Sequence, residues 1–295
     1  MLKESDQKPL SPELLRLVQA YWEASNPHAR GGWTRFGLEM LREDRAGESI
    51  DLVAANVPFE LAGRRVLEVG SGVGAVQVVA RRRGVLSSGV EPSLAGARAA
   101  AHLLRERDIA VAGVGCGVGE HLPFGDGVFD VVCSFQVLEH TRQPDLVLEE
   151  TLRVLKVGGW FVHVFPNYGS VFEGHYGVPW FPHMSKRFGR IYLGMLGRDL
   201  SMLEEFQLLT HGRVAAMLAG RRDVRIAGWG SALWERRMRT LQFSEWAYLG
   251  RLKAAVRLLH HAHLVEPAIG LGHALRLETP IVLTGEKLDQ DALES

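Results

Sequence analysis

Cysteine is scarce: the 295 residues hold two, Cys116 and Cys133, which excludes a disulfide framework and matches no thiolate metal spacing. Cys133 sits in a strand-like apolar run, so reduced core thiols are expected. An excess of charge is missing too. Lysine plus arginine and aspartate plus glutamate number 34 each, so no global field gathers nucleic acid or an anionic surface. No run reaches the roughly 18 apolar residues of a membrane span, and the opening MLKESDQKPLSPELL lacks the apolar stretch of a signal peptide. The expectation is a cytoplasmic protein with no nucleic-acid partner and no membrane span. With 46% hydrophobic and 23% charged residues, the chain can bury the core of one large or two small domains. It carries no internal repeat and no low-complexity tract.

What is present is an alternation of short apolar runs and helical patterns. Pro12 to about Ala20 reads as a helix with Ser11 as N-cap, the connecting segment SNPHARGGW follows, and residues 34–57 hold one or two more helices. The strand VLEVG then runs into a glycine turn, the helix VQVVARRRG closes at Gly84, and SSGVEPS is a strand ending at Glu91. The run RRR at 81–83 reads as a solvated helix end. A helix over 93–107, a short strand near 109–114, the strand FDVVCSF, a helix over 144–155 and the strand WFVHVF continue the pattern. Strands alternating with helices imply a parallel sheet covered on both faces. Past Pro166 the alternation breaks: residues 168–206 are rich in aromatics, glycine and proline, show no strand signal and read as an inserted lid. A helix near 210–219, the stretch RRDVRIAGW, a helix over 243–264 and the late strand TPIVLTGEKL return toward the sheet. The expected divisions are a helical cap (1–60), a core (61–167), the lid (168–206) and a C-terminal part of the core with a helical insertion (207–295).

The turn in VLEVGSGVGA, residues 66–75, admits two ligands. Gly70, Gly72 and Ala75 satisfy the nicotinamide fingerprint, while Gly70, Gly72 and Gly74 equally satisfy the turn of an S-adenosylmethionine site. Both use glycine to bring backbone close to the ligand and a helix N-terminus just beyond. They diverge at Glu68, where nicotinamide folds usually carry an apolar residue and a carboxylate suits an ammonium or sulfonium. Glu91, at the next strand end, can accept from two ribose hydroxyls in either case.

Downstream, VGEHLPFGDGVFDVVCSFQVLEH (118–140) and LRVLKVGGWF (152–161) follow in order. Together with the glycine turn these blocks closely resemble class I S-adenosylmethionine-dependent methyltransferases, especially the type 11 small-molecule group. The resemblance spans about residues 64–166. It implies an α/β fold, a Rossmann-like seven-stranded and mostly parallel sheet with an antiparallel last strand, helices on both faces and helical lid insertions. It implies further that Glu68, Gly70, Ser71, Gly72 and Gly74 surround the methionine moiety, that Glu91 holds the ribose, and that Pro92 and Ser93 border the adenine. Gly119, Glu120 and His121 would lie along the adenine edge, although Val118 stands where the family often has aspartate. Phe135, Gln136 and Val137 would lie near the methionine tail. Val157 replaces a common proline.

Gln136, Glu139 and His140 fall at i, i+3 and i+4, and a group of quinone-precursor methyltransferases resembles this with two glutamates and a histidine on a divalent metal. Gln136 is a poorer ligand, so no metal is expected. In FPNYGSVFEGHYGVPWFPH, residues Glu173, His175, Tyr176 and His183 can hold or move protons. His175, Glu173 and His140 are the catalytic candidates. The cluster of His260, His261 and His263 reads as a helix end rather than a metal site. The expected activity is transfer of a methyl group from S-adenosylmethionine to a small or medium-sized acceptor, most favourably at oxygen, in a glycan or natural-product pathway. Two rivals stand beside it: an NAD(P)-dependent oxidoreductase, and a noncatalytic cofactor-binding relative. The sequence leaves the oligomeric state open.

Overall fold

The computed structural model describes residues 9–25, 37–241 and 250–289. Its main sheet has seven strands in the order β3-β2-β1-β4-β5-β9-β8. They are β1 Arg65–Val69, β2 Leu86–Glu91, β3 Val114–Cys116, β4 Phe129–Phe135, β5 Leu155–Phe165, β8 Val224–Gly228 and β9 Ile281–Lys287. β1 is buried at four of its five positions, as a strand covered on both faces must be. It pairs in parallel with β2 and with β4, so that Glu68 stands opposite Gly89 on one side and Cys133 on the other. β2 pairs in parallel with β3, and β8 pairs antiparallel with β9. The chain therefore runs outward from β1 through β2 to β3 and then returns to β4 on the other side of β1. Such a reversal of strand order opens a crevice at the carboxyl ends of the strands. The order and the antiparallel final strand are those expected of the Rossmann-like methyltransferase fold.

The chain forms two compact units, one of Met1–Phe135 with Leu146–Val162, the other of Gln136–Asp145 with His163–Ser295. In the first unit, helix α1 (Pro12–Ser25) starts at Ser11, whose Oγ accepts from the Leu14 amide at 3.1 Å. It buries Leu14, Val18 and Tyr21 in a core shared with Val73, Val78, Leu103 and Leu104. Helices α2 (Glu43–Ala54), α3 (Ala75–Arg82), α4 (Leu94–Glu106) and α5 (Pro144–Val154) complete this unit. Gly74 opens α3 with φ +81°, and a Cβ there would stand 2.8 Å from that of Ala100, so this glycine lets α3 and α4 approach.

In the second unit the segment expected to lack strands contains a hairpin of two-residue strands, β6 (Phe172–Glu173) against β7 (Val178–Pro179). Its core is Tyr168, Tyr176, Val178, Trp180, Leu193, Leu203 and Phe206, joined by helices α6 (Lys186–Met195) and α7 (Ser201–Glu205). Helix α8 is His211–Met217. The single helix expected over 243–264 appears as α10 (Gly250–His261); residues 242–249 lie outside the described residues, as do residues 26–33 of the connecting segment. Two helices that the apolar periodicity did not announce, α9 (Ser231–Thr240) and α11 (Val265–Leu275), flank it in sequence. The strand expected near 109–114 forms instead at 114–116, and Cys116 is exposed while Cys133 is buried. Among the described residues, no helix is long and apolar enough to cross a membrane.

Candidate active site

In the first unit, the chain leaves β1 through Gly70, Gly72 and Gly74, with φ values of +72°, +51° and +81°, a region that glycine alone enters without strain. The amides of Gly70 and Ser71 both donate to the Val90 carbonyl, at 2.8 and 3.0 Å, which ties the turn to the end of β2. One residue further, Glu91 accepts from the Gly72 amide at 2.9 Å and from the Ser93 amide at 3.0 Å. Its carboxylate is thus fixed in orientation and buried. Burial raises its pKa, against the pull of those two bonds. Beside it stands Glu68, whose Oε2 has no hydrogen-bond partner. Burial first, and then the charge of Glu91, push the Glu68 carboxyl up to about 8. A ligand with a cationic group and a vicinal diol suits this pair of acids.

Tyr21 is a resident of this site that sequence reasoning missed. Its hydroxyl lies 3.6 Å from the place a Cβ would take at Gly72, and its ring 2.9 Å from the corresponding place at Gly96. Burial, then Glu91, hold its phenol above the ordinary range. An aromatic on the apolar face of a helix looks like any core residue, so no local signal distinguishes it.

The remaining cofactor candidates fall into two groups. Ser71 is buried at the turn with its Oγ unpaired, and Ser93 caps α4 by accepting from the Gly96 amide at 3.4 Å. Pro92 is exposed, and its carbonyl accepts from Cys116 Sγ at 3.6 Å. Gly119 is buried, and a Cβ there would come within 3.1 Å of Val69, so the loop after β3 passes close over the end of β1. Glu120 is half-buried and His121 exposed. Phe135 ends β4 next to Ser134, the register partner of Val69. Gln136 and Val137 open the second unit. Gln136 is exposed and left-handed at φ +56°, with its amide donating to the Val164 carbonyl at 2.7 Å.

The second unit gathers all three catalytic candidates. Glu139 lies in the short 3-10 turn Leu138–His140, fully buried, and neither of its carboxylate oxygens has a hydrogen-bond partner. Its Oε1 stands 3.9 Å from His140 Nε2 and 4.0 Å from His175 Nε2. The β6-β7 hairpin supplies the other side. Glu173 Oε2 accepts from the Tyr176 amide at 2.6 Å, and its Oε1 binds His175 Nδ1 at 2.7 Å and accepts from the Tyr168 hydroxyl at 3.4 Å. With Nδ1 held, His175 presents Nε2 toward Glu139. The Phe206 ring packs against both imidazoles, at 4.3 Å from His175 and 5.0 Å from His140. Burial lowers the basicity of His175, but the bond and charge of Glu173, with the charge of Glu139, outweigh it and raise the pKa. Burial, relieved in part by His175, pushes Glu139 up to about 7. Burial and then His175 hold His140 below its ordinary value.

Tyr176 and His183 stand apart from this group in role. The Tyr176 hydroxyl accepts from the Leu203 amide at 3.0 Å, and His183 packs beside Gly169 with φ +61°. His260 donates to the Met238 carbonyl at 2.9 Å, which joins α10 to α9. Glu139, which the sequence offered as a ligand only in company with Gln136, is the residue on which both histidines converge.

Residues 67–163 match the family model described as a methyltransferase domain. An uncharacterized methyltransferase of Mycobacterium sp. (strain KMS) is 35% identical over 136 residues, which are 46% of this chain and 52% of that protein. One from Mycolicibacterium vanbaalenii is 32% identical over 171 residues, 58% of this chain and 63% of its own length. The chain thus spans about half to three fifths of the curated relatives it matches. Among solved structures, the Haemonchus contortus phosphoethanolamine N-methyltransferase 2 complex with phosphomonomethylethanolamine and S-adenosylhomocysteine aligns over 96% of this chain and 61% of its own, with 16% identity and a TM-score of 0.51. The [4+2]-cyclase SpnF aligns over 94% and 95%, with 20% identity and a TM-score of 0.50. Likenesses at that level concern the fold, and the two names show that this fold carries more than one reaction. Sequence and fold agree at the segment they share: residues 67–163 are similar to the methyltransferase domain family, and the sheet they help to form has the strand order of that fold.

Proposed function

We propose that this chain binds S-adenosylmethionine in its first unit and transfers the methyl group to a small or medium-sized acceptor, at an oxygen atom, in a glycan or natural-product pathway. The observation that carries the reading is the buried acid pair at the glycine turn. Glu68 has an unpartnered oxygen that an ammonium or sulfonium neighbour would satisfy. Glu91 is fixed by two backbone amides and keeps lone pairs for the two ribose hydroxyls. When bound, the cofactor supplies a methyl carbon on a good leaving group. The protein's part is to align, to exclude water and to deal with the acceptor's proton. For that last task the second unit offers His175, with Glu173 fixing its Nδ1 and leaving Nε2 free to act on the acceptor, and His140 beside it.

Two outcomes are expected at the acid pair. Glu91→Ala weakens S-adenosylhomocysteine binding by more than about tenfold, since each hydrogen bond to a charged group is worth roughly 1.5–3 kcal/mol. Calorimetry on the folded variant checks this, and unchanged affinity would remove Glu91 from the ribose site. Glu68 provides a pH signature. With its carboxyl pushed up to about 8, it holds a proton at pH 7 in the free protein. A cationic neighbour favours the carboxylate, so binding at pH 7 expels up to about one proton and affinity rises as the pH climbs toward 8. Titrations in buffers of different ionisation enthalpy measure that proton, and Glu68→Gln should abolish its release. The methylated atom is tested with 13C-methyl cofactor and a panel of hydroxylated and amino acceptors. A product methyl with the chemical shift of an ether or ester supports the reading; transfer only to nitrogen, or none across the panel, contradicts it.

A further inference from the structure

We propose that Glu139, His140 and His175 bind one divalent transition-series cation of the Zn2+ type. Among the described residues these are the three whose ligand atoms converge, all within 4.8 Å of one another. A Zn2+ ion holds nitrogen and oxygen at about 2.0–2.2 Å, so tetrahedral donors lie about 3.4 Å apart. The separations of 3.9 and 4.0 Å from Glu139 Oε1 to the two Nε2 atoms are too long for hydrogen bonds and close to what one shared ion spans. Small side-chain rotations close the difference.

Three further observations point the same way. Glu139 is fully buried with both oxygens unpartnered, and a buried carboxylate needs a cation or a full set of donors to offset its lost hydration. Glu173, bonded to His175 Nδ1 at 2.7 Å, fixes the ring so that the Nε2 lone pair faces Glu139, which is the carboxylate-to-imidazole support that metal-bound histidines receive. His140, by contrast, has a side chain 44% exposed, so one side of the cluster remains open to a further ligand. Two imidazoles and one carboxylate suit Zn2+ and its neighbours in the transition series better than Mg2+ or Ca2+, which prefer oxygen. The sequence argued against a metal because Gln136 is a poor third ligand. The β6-β7 hairpin supplies a better one, His175, from 36 positions beyond Glu139.

The inference deepens the methyl-transfer reading, on which it rests for its consequence: with His175 Nε2 on the cation, the open position would take an oxygen atom of the acceptor and lower its pKa, so that its proton passes to solvent instead of to the imidazole. The test needs no acceptor. The full chain, freed of metal with a chelator, is titrated with Zn2+ and with Mg2+ by calorimetry, and S-adenosylhomocysteine affinity is measured on the same samples. One Zn2+ per chain is expected, bound at least about 100-fold more tightly than Mg2+. Glu139→Gln and His175→Ala should each weaken Zn2+ by about 10–100-fold or more, whereas His261→Ala should leave it unchanged. Retained S-adenosylhomocysteine binding reports that a variant is folded. Should those variants fail to fold, pulsed electron paramagnetic resonance of Cu2+ bound to the wild-type chain must show two coupled imidazoles. Absence of stoichiometric Zn2+ binding, Zn2+ binding unaltered by Glu139→Gln, loss with His261→Ala, or a Cu2+ site without two imidazoles would each overturn the assignment. Zn2+ failure with intact S-adenosylhomocysteine binding sinks the metal alone; the converse sinks the cofactor reading and leaves the metal site standing.

Discussion

His175→Ala is expected to lower methyl transfer about 100-fold or more, the usual size of a positioned acid-base contribution, while S-adenosylhomocysteine affinity stays within about twofold. The split follows from where the residue sits. His175 belongs to the second unit, in the hairpin turn that Glu173 braces, and the acid pair and glycine turn that would receive the cofactor belong to the first. Whether Nε2 acts on the acceptor directly or through a bound cation, its loss removes the group that handles the acceptor's proton. The fall should therefore appear in kcat as well as in kcat/KM. A variant in which only KM rises would make His175 a substrate-positioning residue. Full activity would mean that the imidazole serves to pack the lid against Phe206, from which its ring centroid lies 4.3 Å away.

Gly72→Val should have the larger effect on binding, a loss of more than about 100-fold in S-adenosylhomocysteine affinity. At φ +51° the glycine is in a region that costs an ordinary residue about 1–2 kcal/mol, and a β-branched one suffers most. Its amide donates to Glu91, so a shift of the backbone there also frees the carboxylate assigned to the ribose. The added side chain would also point toward the Tyr21 hydroxyl, 3.6 Å from the new Cβ, on the side where the backbone is bare. Circular dichroism establishes that the variant is folded, and calorimetry reads the affinity. A folded variant that binds normally would move the cofactor away from this turn.

Much of the first unit was legible in the sequence because its signals are local. The glycine turn, the burial of β1 and the existence of the strand β4 all follow from apolar runs bounded by turn residues, and Glu68 and Glu91 could be named from their places at strand ends. The second unit was less legible. Strands of two residues, such as Phe172–Glu173, are too short to show an alternation, so the hairpin that carries His175 went unread. Glu139 shows the same limit more sharply. Along the chain it keeps company with Gln136, yet in space its oxygens face His140 and a histidine delivered by a different segment. Tyr21 was unreadable for a related reason: α1 packs it onto the glycine turn from more than 40 positions away, and nothing in its own helix marks it.

Equilibrium binding of S-adenosylhomocysteine and of NAD+ to the wild-type chain, measured side by side by calorimetry, tests the central claim most directly. The fold and the glycine turn admit either nucleoside, and Glu68 decides between them, because its buried, unpartnered carboxyl can ionise to match a cationic amino-acid moiety and offers a pyrophosphate no counter-charge. One S-adenosylhomocysteine per chain is expected, with NAD+ bound at least about 100-fold more weakly, a difference of about 2.7 kcal/mol. Tight NAD+ binding with no heat from S-adenosylhomocysteine would contradict it.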